Sequence, residues 1–105
     1  LTGDIESEIE HKLVLAGLVT KTDVLKIPHH GSKYSSSDYF LHAVKPDLAV
    51  VSVGRGIQGL PGEEALGRYK RFSIPVLRTD RNGSISICSD GEKIHCRTTL
   101  QSIYY

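Results

Sequence analysis

Two short segments of this 105-residue chain carry side chains suited to metal or hydrolytic chemistry. The first is Thr2-Gly3-Asp4, a carboxylate placed where a strand end gives way to an acidic helix start. The second is His29-His30-Gly31-Ser32, two imidazoles directly behind the segment DVLKIP. Successive side chains at a strand end project to different sides, so at most one of the two histidines faces a given site while the other supports it. Gly31 removes a side chain where the backbone must pass close to a neighbour. Open α/β sheets collect ligands at the carboxyl ends of their strands, and both segments fall there. A carboxylate and an imidazole brought together at that edge suit zinc or manganese. Plainer local roles exist for both: Asp4 as a helix N-cap, the histidines as surface-loop residues.

The elements that must position these groups follow from periodicity and punctuation. From Asp4 to about Val19, apolar residues recur at three- and four-residue steps among acidic ones, with Gly17 near the stop, which predicts a helix. Asp23 to Pro28 predicts a short strand and His29 to Ser37 a polar loop. Ser37 or Ser36 caps a short helix that ends before Pro46. The nearly continuous apolar run from Asp47 to Val53 suits a strand covered on both faces. A glycine-rich loop follows over residues 54–62, then a helix from Glu63 to about Phe72 and a strand from Pro75 to Thr79. Asp80-Arg81-Asn82-Gly83 is a strong turn signal. Ser84 to Cys88 and Lys93 to Thr98 then form a hairpin about Asp90-Gly91. The order is that of an α/β fold, helices packed on a sheet.

Composition narrows the class without naming a partner. Thirteen basic against twelve acidic side chains give a formal net charge of +1. That balance argues neither for nor against nucleic acid or membrane. No apolar run is long enough to cross a bilayer. The start at Leu1 reads as an excision from something longer, with no signal-peptide pattern. Cys88 and Cys96 face each other across a loop centred on Glu92, or are offset by a tighter turn and remain half-buried thiols. His11 and His42 read as solvated, and His95 as a structural partner of Asp90 or Glu92. Arg68, Lys70, Arg71, Arg78 and Arg81 either meet phosphates or form a solvated basic face, the commoner arrangement.

Taken in order, LTGD, VLKIPHHGSKYSSS, KPDLAVVSVG and RTDRNGSI closely resemble the C-terminal part of the metallo-β-lactamase-like domain of ComEC-type competence proteins. The resemblance runs from Leu1 to about Ile87. It implies the C-terminal half of an αββα sandwich, a sheet with flanking helices and a terminal β-hairpin. Residues 1–105 are then the later portion of one domain, whose H-x-H-x-D-H half lies outside the chain. Asp4 matches the family's bridging aspartate. His29 and His30 match its H-H-G-S segment, and one of them supplies the late ligand. His30 is preferred because Gly31 beside it allows close approach. That histidine orients a metal, or protonates the leaving oxygen if it is not a ligand. Ser32, Lys33 and Ser35 fall in a polar segment near the substrate.

The intact domain is expected to hold zinc or manganese in a two-metal site and to hydrolyse single-stranded DNA during uptake. Its parent is a bacterial inner-membrane protein, with the domain on the extracytoplasmic face. Many relatives carry Gly-His-Pro where this chain has Gly59-Leu60-Pro61. Leu60 neither ligates metal nor transfers a proton, so a noncatalytic interaction module of the same fold is the alternative, as is a hydrolase of another ester. Without its first half the chain is expected to bind metal weakly, turn over little, expose apolar surface, and dimerise or swap segments.

Overall fold

The structure is a computed structural model that describes residues 1–54 and 59–100. Its elements are α1 (Ser7–Leu15), β1 (Val24–Lys26), a 3-10 turn (Pro28–Gly31), α2 (Asp38–Val44), β2 (Leu48–Val51), α3 (Glu63–Arg71), β3 (Val76–Arg78), α4 (Thr79–Asn82), β4 (Ile85–Ser89) and β5 (Ile94–Thr98). Strands β1, β2 and β3 form a parallel sheet in that order, with Leu25 beside Ala49 and Val50 beside Leu77. Strands β4 and β5 form a separate antiparallel hairpin. This is the mixed α/β architecture that the order of elements predicts.

The middle strand explains why the sheet is parallel and covered. Leu48, Ala49 and Val51 of β2 are buried, so both faces of the strand are occupied, as a continuous apolar run requires. Phe40, Leu41 and Val44 of α2 and Tyr69 of α3 close the same core with Leu25 and Ile27. α2 starts where expected: the Ser37 hydroxyl accepts from Phe40 N at 3.3 Å. α1 stops at Gly17, which takes φ +70° and lets Gly17 N reach Val14 O and Leu18 N reach Leu13 O. Ile9 and Leu15 of α1, and Leu18 just beyond it, are exposed. No helix among the described residues is long and apolar enough to cross a membrane.

Two expectations need correction, and one open alternative, the arrangement of the hairpin cysteines, is decided. Asp4 is not the N-cap of α1. The chain turns at Gly3 and Asp4, the cap position falls at Glu6, and Glu6 makes no capping bond through its side chain. The N–H of Ser7 is met instead by the Tyr34 carbonyl at 2.8 Å, so tertiary contact replaces a local cap. The segment Thr79–Asn82 is a single helical turn rather than an open turn. In the hairpin Ile87 pairs with Cys96 and Cys88 with His95, so the cysteines are offset by one residue and face opposite sides. Both are free thiols. Asp90 caps the hairpin loop by accepting from Glu92 N and Lys93 N at 2.8 and 2.6 Å, and His95 lies exposed in β5.

Candidate functional site

The end of β1 and the opening turn of the chain are tied together by backbone. The Gly3 carbonyl accepts from His29 N at 2.9 Å, and the Thr2 hydroxyl donates to Lys26 O at 3.3 Å. This contact carries Asp4 to the carboxyl edge of the sheet. His29 and His30 both adopt left-handed backbone (φ 52° and 54°), which costs on the order of 1 kcal/mol or more per residue. The surroundings enforce it. Ser32 N returns to His29 O at 3.0 Å, and Gly62 N donates to Gly31 O at 2.8 Å. A Cβ on Gly31 would stand 2.6 Å from the Pro61 Cβ, so the close approach expected of that glycine is to Pro61.

The two histidines part company at their side chains. His30 Nδ1 lies 2.6 Å from the Ser52 carbonyl. A carbonyl only accepts, so its partner assigns the proton to Nδ1 and leaves Nε2 with a free lone pair in the neutral ring. That is how proteins commonly orient a metal-binding imidazole. His30 Nε2 faces Asp4 Oδ1 at 3.9 Å. His29 points elsewhere: its Nδ1 is buried, makes no hydrogen bond, and stands 3.5 Å from Glu6 Oε2, close enough for charge but not aligned for a bond. Asp4 and His30 therefore form the pair, with His29 and Glu6 beside them.

The pair fits a shared ion in part. Two ligands on one tetrahedral zinc lie ~3.3 Å apart. The 3.9 Å separation is slightly wider, within reach of a small rotation of the exposed Asp4 side chain. Among the described residues no group of three His, Cys, Asp or Glu side chains is placed to hold a metal. Leu60 lines the same small pocket as His30, Ser52, Val53 and Gly54, a space of about 170 Å³. The position that differs from the Gly-His-Pro pattern is thus beside the pair, and an apolar side chain fills it.

The polar loop after the histidines is held from beneath. Glu10, wholly buried, accepts from Ser36 N at 2.6 Å and Ser37 N at 2.8 Å. Arg68 donates to Ser36 O, Lys33 O and Ser35 O at 2.8–2.9 Å. The Ser36 hydroxyl meets the Tyr69 hydroxyl at 2.7 Å, and burial drives the Tyr69 phenol far above its ordinary pKa. Ser35 is buried and donates to Ile5 O at 2.6 Å, while the Ser32 hydroxyl accepts from Tyr34 N at 3.2 Å. Of Ser32, Lys33 and Ser35, only Lys33 is exposed.

This framework corrects the reading of the basic residues and adds others. Arg68 clamps a loop, Arg71 pairs with Asp38, and Arg78 pairs with Asp80, whose carboxyl the guanidinium holds below the usual range. Ser52, Glu10 and Tyr69 were not among the candidate residues. Ser52 had a visible signal, as the polar break in the apolar run from Asp47 to Val53. His11, expected to be merely solvated, packs on the Tyr39 ring at 4.6 Å between centroids.

Comparison with known proteins places the chain. It is 42% identical over 86 residues to ComE operon protein 3 of Bacillus subtilis, a span covering 81% of this chain and 11% of that protein. It is 38% identical over 88 residues to Recombination protein 2 of Haemophilus influenzae, covering 83% and 11%. It is 39% identical over 87 residues to Competence protein ComA of Neisseria gonorrhoeae, covering 81% and 13%. The chain therefore spans only 11–13% of the length of these relatives. No family model matches the chain. No solved structure matches it.

Proposed function

We propose that this chain is the C-terminal portion of a metallo-β-lactamase-type domain in a DNA-uptake protein, and that the intact domain hydrolyses DNA phosphodiesters with zinc or manganese. The observation that carries the reading is the Asp4–His30 pair: a carboxylate 3.9 Å from an imidazole nitrogen whose partner nitrogen is fixed on Ser52 O. The similarity to Competence protein ComA supports the DNA-uptake setting.

When bound, the metal would supply Lewis acidity at a phosphoryl oxygen and a more acidic water. The chain's own contribution is orientation. Asp4 presents a carboxylate and His30 a lone pair at one edge of the sheet, Ser52 fixes the imidazole ring, and Lys33 supplies the exposed positive charge for a phosphate. The membrane is reached through the parent protein, with this domain on the extracytoplasmic face.

The test is cleavage of labelled single-stranded DNA by the intact domain, upstream half included, with manganese or zinc. Metal-dependent cleavage that falls about 100-fold or more in Asp4→Asn and His30→Ala supports the reading. Cleavage unchanged in both variants overturns it.

A second reading, a noncatalytic module of the same fold, is favoured by Leu60 beside His30. Absence of any cleavage of DNA or small esters by the metal-loaded domain would decide for it.

A further inference from the structure

A cleft of about 710 Å³ is lined by Lys33, Tyr34, Leu60, Pro61, Glu63 and Glu64. Leu60 also lines the pocket that holds His30, so the two spaces adjoin. Tyr34 as a residue is 58% exposed although its backbone is fixed at both ends, N–H on the Ser32 hydroxyl and carbonyl on Ser7 N. A flat aromatic face held out from a pinned backbone is a stacking platform. The Lys33 ammonium lies over one face of that ring, 5.2 Å from its centroid, so a base would stack on the other face, and the Lys33 carbonyl is clamped by Arg68.

We propose that this cleft is a nucleobase pocket next to the scissile phosphate, selective for bases that carry an exocyclic amine. The proposal rests on the reading of DNA as the substrate of the adjoining site, and names how one of its bases is held. Tyr34 stacks the base, as aromatic side chains do in sequence-tolerant single-strand binding. Lys33 meets the phosphate on its side of the cleft. The carboxylates of Glu63 and Glu64 repel phosphate, which keeps the backbone on the Lys33 wall and turns the base edge toward them. Carboxylates accept hydrogen bonds from the cytosine N4 or adenine N6 amine, whereas thymine presents a carbonyl oxygen at the equivalent place. Cytosine is therefore held better than thymine.

The test is fluorescence anisotropy of end-labelled cytidine and thymidine oligodeoxynucleotides titrated with the 105-residue chain at low salt, without metal. The cytidine oligomer should bind several-fold more tightly than the thymidine one. Tyr34→Ala should weaken both by about fivefold or more, and Tyr34→Phe should not. The double variant Glu63→Gln, Glu64→Gln should bring the two affinities together. Equal affinities in the unmodified chain, or no effect of Tyr34→Ala, overturn the pocket while leaving DNA as the substrate of the adjoining site. Failure of both oligomers to bind overturns the pocket, while the substrate reading stands or falls separately on cleavage of single-stranded DNA by the intact domain.

Discussion

Glu10 and Ser36 join α1 to the loop before α2: a carboxylate with no exposed surface accepts the Ser36 N–H at 2.6 Å and the neighbouring Ser37 N–H at 2.8 Å. Ser36 itself has left-handed backbone (φ 60°), so the contact fixes a conformation its own sequence disfavours. Through it α1 sets the shape of the loop that leads from His30 to α2.

Removing that carboxylate leaves one buried N–H, on Ser36, and one part-buried N–H, on Ser37, without partners. Glu10→Ala should cost about 3 kcal/mol, read as a lower midpoint in urea unfolding. Glu8→Ala, exposed on the same helix and paired with Lys12, should stay within about 0.5 kcal/mol. Similar losses in the two variants would contradict the buried clamp.

Arg68 holds the other side of the loop. Arg68→Ala should destabilise by about 2 kcal/mol, the worth of charged hydrogen bonds to carbonyls. Arg68→Lys should recover little, because one ammonium cannot reproduce a planar fork that reaches three carbonyls. Lys70→Ala, exposed on the same helix, should be neutral.

Tyr69 gives the fold an alkaline limit. Its phenol is buried, which pushes its pKa far above 10 in the folded chain, while the unfolded value is near 10. Above pH 10 the unfolded chain therefore releases the proton that the folded chain keeps. Stability is full below that pH and falls as pH rises, by at most about 1.4 kcal/mol per unit. Tyr69→Phe should flatten this fall in unfolding midpoints measured from pH 9 to 11, at the cost of the Ser36 hydrogen bond at neutral pH.

The offset of the hairpin cysteines has its own consequence. Mild oxidation should form no Cys88–Cys96 bridge within the chain, as mass spectrometry would show, since the two side chains point to opposite faces. Cys96 should alkylate more slowly than Cys88, because burial raises its thiol pKa and limits access. A ready intramolecular bridge would mean the strands slip by one residue.

How much of this was readable without coordinates depended on whether the deciding contact was local. The start of α2 at Ser37, the stop of α1 at Gly17 and the hairpin strands rest on caps, turns and alternation within a few residues, and all were legible. Asp4 was not, because the cap of α1 is replaced by a carbonyl from Tyr34, far along the chain. The burial of Glu10 and the loop clamp by Arg68 were not legible because their partners are backbone groups of a loop, which carry no sequence signature. The left-handed histidines were equally hidden: the strain is stabilised by contacts from Gly3 and Gly62.

The pairing of Asp4 with His30, rather than His29, is the claim on which the rest depends, and nitrogen-15 NMR of the histidine rings during zinc titration of the chain tests it directly. The neutral His30 ring should carry its proton on Nδ1, and zinc should shift its Nε2 resonance with weak affinity, an effect lost in Asp4→Asn. Zinc shifts confined to His29, or nanomolar binding by the chain alone, would contradict a half-site built on Asp4 and His30.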